Sequence, residues 1–195
     1  MCASLSLSSL ARHLSHTFTI PYCSIEAFSR LSKDTFDKVK NLKKKGNDAF
    51  VESKYAAAIE TYQKAIALYE TKSGSAGPQQ YEHATLYSNL AECHLKLGQY
   101  PDSAAAATNA LQRSPKMTKA AVRYAKARVA MAEKEHNRHY LELALGILDH
   151  MAPESKDDKK AIQDMTKKVE QLSLQMDKKK KDGFRSGFSA ALNSA

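Results

Sequence analysis

The feature that most constrains the fold is a helix-turn-helix pattern that occurs twice in succession. The first copy, VKNLKKKGNDAFVESKYAAAIETYQKAIALYE, covers residues 39–70, and the second covers residues 84–115. In the first copy, Ala58, Tyr62 and Ala65 recur at spacings of four and three, which places them on one face of a helix. A short helix pair cannot bury such a face alone, so we expect the pairs to stack. The pattern predicts an all-α protein.

Two further segments extend this pattern towards the C-terminus. A third unit begins at Thr118, but its second half aligns only if residues are inserted, so it is a degenerate copy. Beyond it, apolar residues recur at spacings of three and four within residues 154–181. They are Ile162, Met165, Val169, Leu172 and Met176. We expect this helix to cover the open end of the stack. The alternative is a coiled coil with a partner, for which two heptads are short.

The remaining segments are predicted from composition. Residues 1–33 form the expected leader, whose first 25 residues are rich in serine and contain no acidic residue. They resemble an organelle transit segment, and a disordered leader is the alternative. The repeat domain is expected at residues 34–153, with a loop at residues 72–80. The capping helix is then expected at 154–182 and a flexible tail at 183–195.

The charge balance favours an acidic partner without identifying it. Thirty lysines and arginines oppose twenty-one aspartates and glutamates, which gives a formal charge of +9. Part of this excess is the lysine run at residues 178–181, and such a run is usually a solvated helix end. No apolar run approaches the roughly 20 residues that span a bilayer. Cys2, Cys23 and Cys93 form no disulfide framework or metal spacing, which suggests a reducing compartment or simply no redox role. We expect a cytoplasmic location.

Catalytic signatures are missing from the sequence. It has no glycine-rich phosphate loop and no nucleophile elbow, and its histidines lack a metal-binding spacing. His136 and His139 lie three residues apart without an obvious third ligand. We therefore expect no enzyme activity, no cofactor, no metal and no small-molecule substrate.

The two clear copies resemble the tetratricopeptide repeat, a helix-turn-helix unit of about 34 residues. The residues that carry the resemblance in the first copy are Leu42, Gly46, Tyr55, Ala58, Tyr62 and Ala65. Those in the second copy are Tyr87, Leu90, Ala91, Gly98, Tyr100, Ala110 and Pro115. Ser103 and Ala107 depart from the family pattern. The resemblance implies a right-handed superhelix of three helix pairs, in which the first helix of each pair (helix A) lines a groove.

Polar residues on these three A helices suggest what the groove binds. Lys43 and Asn47 lie four apart on the first, Asn89 lies on the second, and Lys119 and Arg123 lie four apart on the third. The set is similar, position by position, to the carboxylate clamp of co-chaperones. The resemblance implies binding of the acidic Glu-Glu-Val-Asp tail of the seventy- and ninety-kilodalton heat-shock chaperones.

Other interpretations remain open at this point. Taken singly, these side chains could be solvated or could bond to local backbone groups. The repeats could also be a scaffold whose basic helix and tail bind nucleic acid or another acidic surface, although nucleic acid is not the partner we expect. An organelle import adaptor would use the same clamp at a different location.

Overall fold

The structure is a computed structural model that describes residues 32–72 and 80–193, with side chains of the last helix described to residue 186. Within these residues the secondary structure consists of seven α-helices and includes no strand. The helices are α1 Lys33–Val51, α2 Tyr55–Lys72, α3 Gln80–Lys96, α4 Tyr100–Arg113, α5 Thr118–Glu135, α6 His139–Asp149 and α7 Lys156–Asn193. The all-α prediction is confirmed. The predicted leader up to residue 31 and most of the predicted loop at 72–80 lie outside the described residues.

The first six helices form three consecutive pairs, α1 with α2, α3 with α4 and α5 with α6. Each pair also packs on the next, and α3 contacts α5 directly. Local sequence signals define the ends of several helices. Ser32 caps α1 by accepting a hydrogen bond from the backbone amide of Thr35. Gly98 adopts a positive φ of 71° in the turn before α4, and Pro101 lies in the first turn of that helix.

Small residues let the helices approach closely. Gly46 of α1 faces the ring of Tyr62 of α2, and a Cβ at Gly46 would lie 2.6 Å from that ring. Tyr62 is itself 1% exposed, so the ring has little room to move. Alanines fill much of the remaining interface, and Ala58, Ala65, Ala91 and Ala107 are fully buried. The close contact explains why the first copy carries glycine at position 46.

Helix α7 packs against α5 and α6 at the end of the stack. Its Met165 and Val169 are buried in a cluster with Leu141 and Leu148 of α6. The apolar stripe of this helix therefore covers the third pair, as the sequence predicted. The helix does not end near residue 182, however, because it continues to Asn193 and residues 178–186 are all exposed.

A partly buried polar cluster joins α2, α3 and α4. The Nε of Arg113 donates to Nδ1 of His83 at 3.2 Å, and the His83 ring stacks on Tyr69 with 4.6 Å between ring centroids. Tyr87 completes the cluster by donating its hydroxyl to Glu70 at 2.6 Å. Burial, reinforced by the charge of Arg113, lowers the pKa of His83 to about 4. His83 is therefore neutral at physiological pH.

None of the helices in the part of the chain described here combines the length and the apolar character that crossing a membrane requires.

Candidate functional site

The A helices α1, α3 and α5 line a groove that contains two adjoining cavities. The first has a volume of about 440 Å³ and is lined by Asn47, Asn89 and Arg123, one from each helix. The second has a volume of about 610 Å³, shares Asn89 and Arg123 with the first, and adds Lys119. Four of the five candidate residues therefore line one continuous groove. The fifth, Lys43, lies one turn before Asn47 on α1.

The two asparagines are in direct contact at the centre of the groove. Nδ2 of Asn89 donates to Oδ1 of Asn47 at 3.3 Å, and the Tyr62 hydroxyl donates to the same oxygen at 2.7 Å. Burial raises the pKa of Tyr62 to about 12, so its hydroxyl keeps its proton at neutral pH. These bonds link α1, α2 and α3 and fix the orientation of the Asn47 side chain.

Lys43 is paired with a carboxylate of the neighbouring A helix. Its Nζ lies 2.6 Å from Oε2 of Glu82 on α3, and the two side chains are 27% and 35% exposed. This ion pair joins α1 to α3 one helical turn before Asn47. A ligand carboxylate that approaches Lys43 must therefore share the ammonium group with Glu82.

Arg123 is held between two side chains of α3. Its Nε donates to Oε2 of Glu92 at 2.8 Å, and one terminal nitrogen donates to the hydroxyl of Ser88. Glu92 and Ser88 lie four residues apart, so both reach the guanidinium from one helical face. The Arg123 and Glu92 side chains are 19% and 20% exposed, and Ser88 is 2% exposed. The guanidinium is therefore fixed in place, with donors left over for a ligand.

Lys119 differs from the other two cations. It is exposed, and no ion pair or hydrogen bond of its ammonium is found among the residues that the structure describes. Glu154 and Asp158, at the start of the α7 region, line the same cavity. The beginning of α7 thus borders the groove on its α5 side.

The acidic residues Glu82 and Glu92 were not among the candidates from sequence. The sequence does contain a signal for them, because Glu82 lies seven residues before Asn89 and Glu92 three residues after it. Both spacings keep a residue on the same helical face. Phe50 was not among the candidates either, and it lines the first cavity together with Val51 and Tyr62.

The arrangement can bind an anion with two carboxylates close together. Amide groups, one exposed ammonium and one fixed guanidinium converge on a concave surface with an apolar wall. Hydrogen bonds from such donors to carboxylates are stronger than those between neutral groups. Among the described residues, no group of His, Cys, Asp and Glu side chains is placed to hold a metal ion.

Comparison with known proteins identifies the class of domain. Residues 43–118 match the family model for the tetratricopeptide repeat, and the chain therefore contains a tetratricopeptide-repeat domain. Such repeats are interaction scaffolds whose concave face binds partners. The human mitochondrial import receptor subunit TOM34 is 37% identical over 95 residues, which are 49% of this chain and 30% of that protein. The chain thus matches less than a third of this relative's length.

Two solved structures show the same architecture. The Hsp90 co-chaperone Cns1 from Saccharomyces cerevisiae superimposes with a TM-score of 0.63 at 22% identity, covering 81% of this chain and 46% of that one. The first tetratricopeptide repeat domain of Spaghetti (RPAP3), bound to the HSP90 peptide SRMEEVD, gives a TM-score of 0.50 at 23% identity. It covers 70% of this chain and 93% of the other. These similarities establish a superhelix of tetratricopeptide repeats.

Proposed function

We propose that this protein is a co-chaperone or adaptor that binds the acidic C-terminal tail of heat-shock chaperones of the 70 and 90 kDa classes. The observation that carries the proposal is the convergence of Asn47, Asn89, Lys119 and Arg123, from three helices, on one groove. Lys43 is one helical turn from this set and joins it as the fifth group.

The chemistry of the tail matches the groove. A C-terminal aspartate carries its main-chain and side-chain carboxylates close together, and the amides and cations supply charge-assisted hydrogen bonds to both. The apolar wall formed by Phe50, Val51 and Tyr62 lies in the same cavity as the asparagines. A valine next to the terminal aspartate can bury its side chain there, which favours binding by about 25 cal/mol per Å² of apolar surface.

The relatives support the same partner class. The peptide bound to the Spaghetti domain, SRMEEVD, ends in the four residues proposed here as ligand. TOM34 is named as a mitochondrial import receptor subunit. A tail-binding groove would serve an adaptor in the cytoplasm and equally one that works at the surface of an organelle.

The alternative function is binding of nucleic acid or another acidic surface by the basic end of α7. The exposed run Lys178–Lys181 is the observation in its favour. A salt titration separates the two functions, because nucleic-acid binding weakens steeply as counterions are released from many phosphates. A two-carboxylate contact should weaken much less.

The proposal is tested by fluorescence anisotropy with a labelled peptide that ends in Glu-Glu-Val-Asp. We expect micromolar binding by the full chain, and loss of most of it when the terminal carboxylate is amidated. A peptide with the same net charge and a scrambled sequence is the control. Binding of either the scrambled or the amidated peptide as tightly as the unmodified peptide would contradict the proposal.

A further inference from the structure

The groove contains a carboxylate of its own where an acidic ligand is expected to bind. Glu92 lines the same cavity as Asn47, Asn89 and Arg123, and its Oε2 lies 2.8 Å from Nε of Arg123. Its side chain is only 20% exposed, so solvent screens its charge weakly. In the free protein, the Glu92 carboxylate is thus already paired with Arg123, the cation that an acidic peptide would bind.

We propose that Glu92 is a specificity-determining residue that competes with the ligand's carboxylates for Arg123. In this role Glu92 reduces the affinity of the groove for the most acidic tails. Binding then depends mainly on the terminal carboxylate of the ligand, which the asparagines and lysines of the groove hold. The inference rests on the proposed function, because it assigns a regulating residue to the same groove.

Two opposite effects of Glu92 have to be weighed. It helps to position the guanidinium, which favours binding, and it repels an incoming carboxylate, which opposes binding. Positioning is shared, because Ser88 holds the same guanidinium from a neighbouring turn. At this guanidinium the repulsion comes from Glu92 alone. It is strong, because two carboxylates on one guanidinium lie within about 6 Å of each other in a partly desolvated site. Repulsion is therefore the larger effect.

The other side of the groove repeats this arrangement. Glu82 pairs with Lys43 at 2.6 Å, so α3 presents one amide, Asn89, between two carboxylates that each hold a cation of a neighbouring helix. Glu82 is more exposed than Glu92, at 35% against 20%. Solvent therefore screens the charge of Glu82 better than that of Glu92. Glu92 is the stronger competitor of the ligand's carboxylates.

The test is calorimetry on the full chain with Glu92→Gln. Glutamine keeps an oxygen that can accept the Nε–H of Arg123, so the substitution removes the charge and retains the positioning. We expect Glu92→Gln to bind a Glu-Glu-Val-Asp peptide about tenfold more tightly than the natural protein. For a Gln-Gln-Val-Asp peptide the gain should be smaller. Glu170→Gln, at an exposed position of α7, is the matched control and should leave both affinities unchanged.

The outcomes separate the inference from the proposed function. If Glu92→Gln binds as the natural protein does or more weakly, while amidating the peptide still abolishes binding, then Glu92 only positions Arg123 and the inference is wrong. In that case the proposed function stands. If neither the natural protein nor the variant binds the peptide, both are overturned.

Discussion

Lys119→Ala is the most informative single substitution in the proposed clamp. The Lys119 ammonium makes no ion pair or hydrogen bond within the described part of the chain, and its side chain is exposed. Its removal should therefore leave the free protein unchanged and should affect only the contact with the ligand. Arg123→Ala is less informative, because it also leaves Glu92 half-buried without its cation.

The magnitude follows from the exposure of Lys119. Removing one partner of a fully buried charge pair costs about 2 to 5 kcal/mol. An exposed pair is worth about 1 kcal/mol or less. Lys119 is exposed but lies on a concave surface, so its contact with a ligand carboxylate should be worth an amount between these limits. We therefore expect Lys119→Ala to weaken the free energy of binding by about 1 to 2 kcal/mol. That is roughly a fivefold to thirtyfold increase in Kd.

Calorimetry at physiological salt measures this loss, and Lys179→Ala is the matched control. Lys179 is an exposed lysine of α7 outside the groove, so its removal changes the net charge equally without touching the site. We expect almost no change in Kd for Lys179→Ala. Equal losses from the two substitutions would show that binding depends on diffuse charge, and the clamp would have to be abandoned.

Three further predictions concern the scaffold. Gly46→Ala should destabilise the protein by about 1 to 2 kcal/mol in urea unfolding and weaken peptide binding, because the new Cβ displaces the Tyr62 ring that orients Asn47; unchanged stability would refute the close packing. Val169→Ala should cost about 1 to 3 kcal/mol and exposed Leu174→Ala almost nothing; equal effects would mean that α7 does not cap the stack. Because the folded state lowers the pKa of His83 to about 4, the unfolded state takes up the proton first as pH falls below 6.5. Stability should then drop by about 1 kcal/mol more between pH 7 and 5 than in a His83→Gln variant, after allowance for screening; parallel pH profiles would contradict this.

The helix pairs could be predicted from sequence because each element carries a period that only a helix satisfies. The spacing of Ala58, Tyr62 and Ala65 defines a buried face, and all three are buried in the structure. The length of α7 could not be predicted in this way. Beyond residue 177 its residues make little contact with the repeats, so no buried face defines where the helix ends.

For the candidate site, the sequence predicted which residues share a groove but not the ion pairs between them. Because repeats impose a common register, residues far apart in the chain could be assigned to one groove, and Asn47, Asn89 and Arg123 do line one cavity. The ion pairs within the groove depend on distances between helices. Lys43 and Glu82 are 39 residues apart and meet only because the stacking of the helix pairs brings their long side chains together, and no local pattern encodes that contact.

The central claim is that the amide groups at the centre of the groove hold the ligand's terminal carboxylate. Nuclear magnetic resonance of the Asn47 and Asn89 side-chain amides tests it most directly, with Asn109 as an internal reference outside the groove. The claim predicts that both signals shift when a Glu-Glu-Val-Asp peptide is added and that neither shifts with the amidated peptide. Unshifted asparagine signals, together with shifts confined to Lys178–Lys181 of α7, would contradict it.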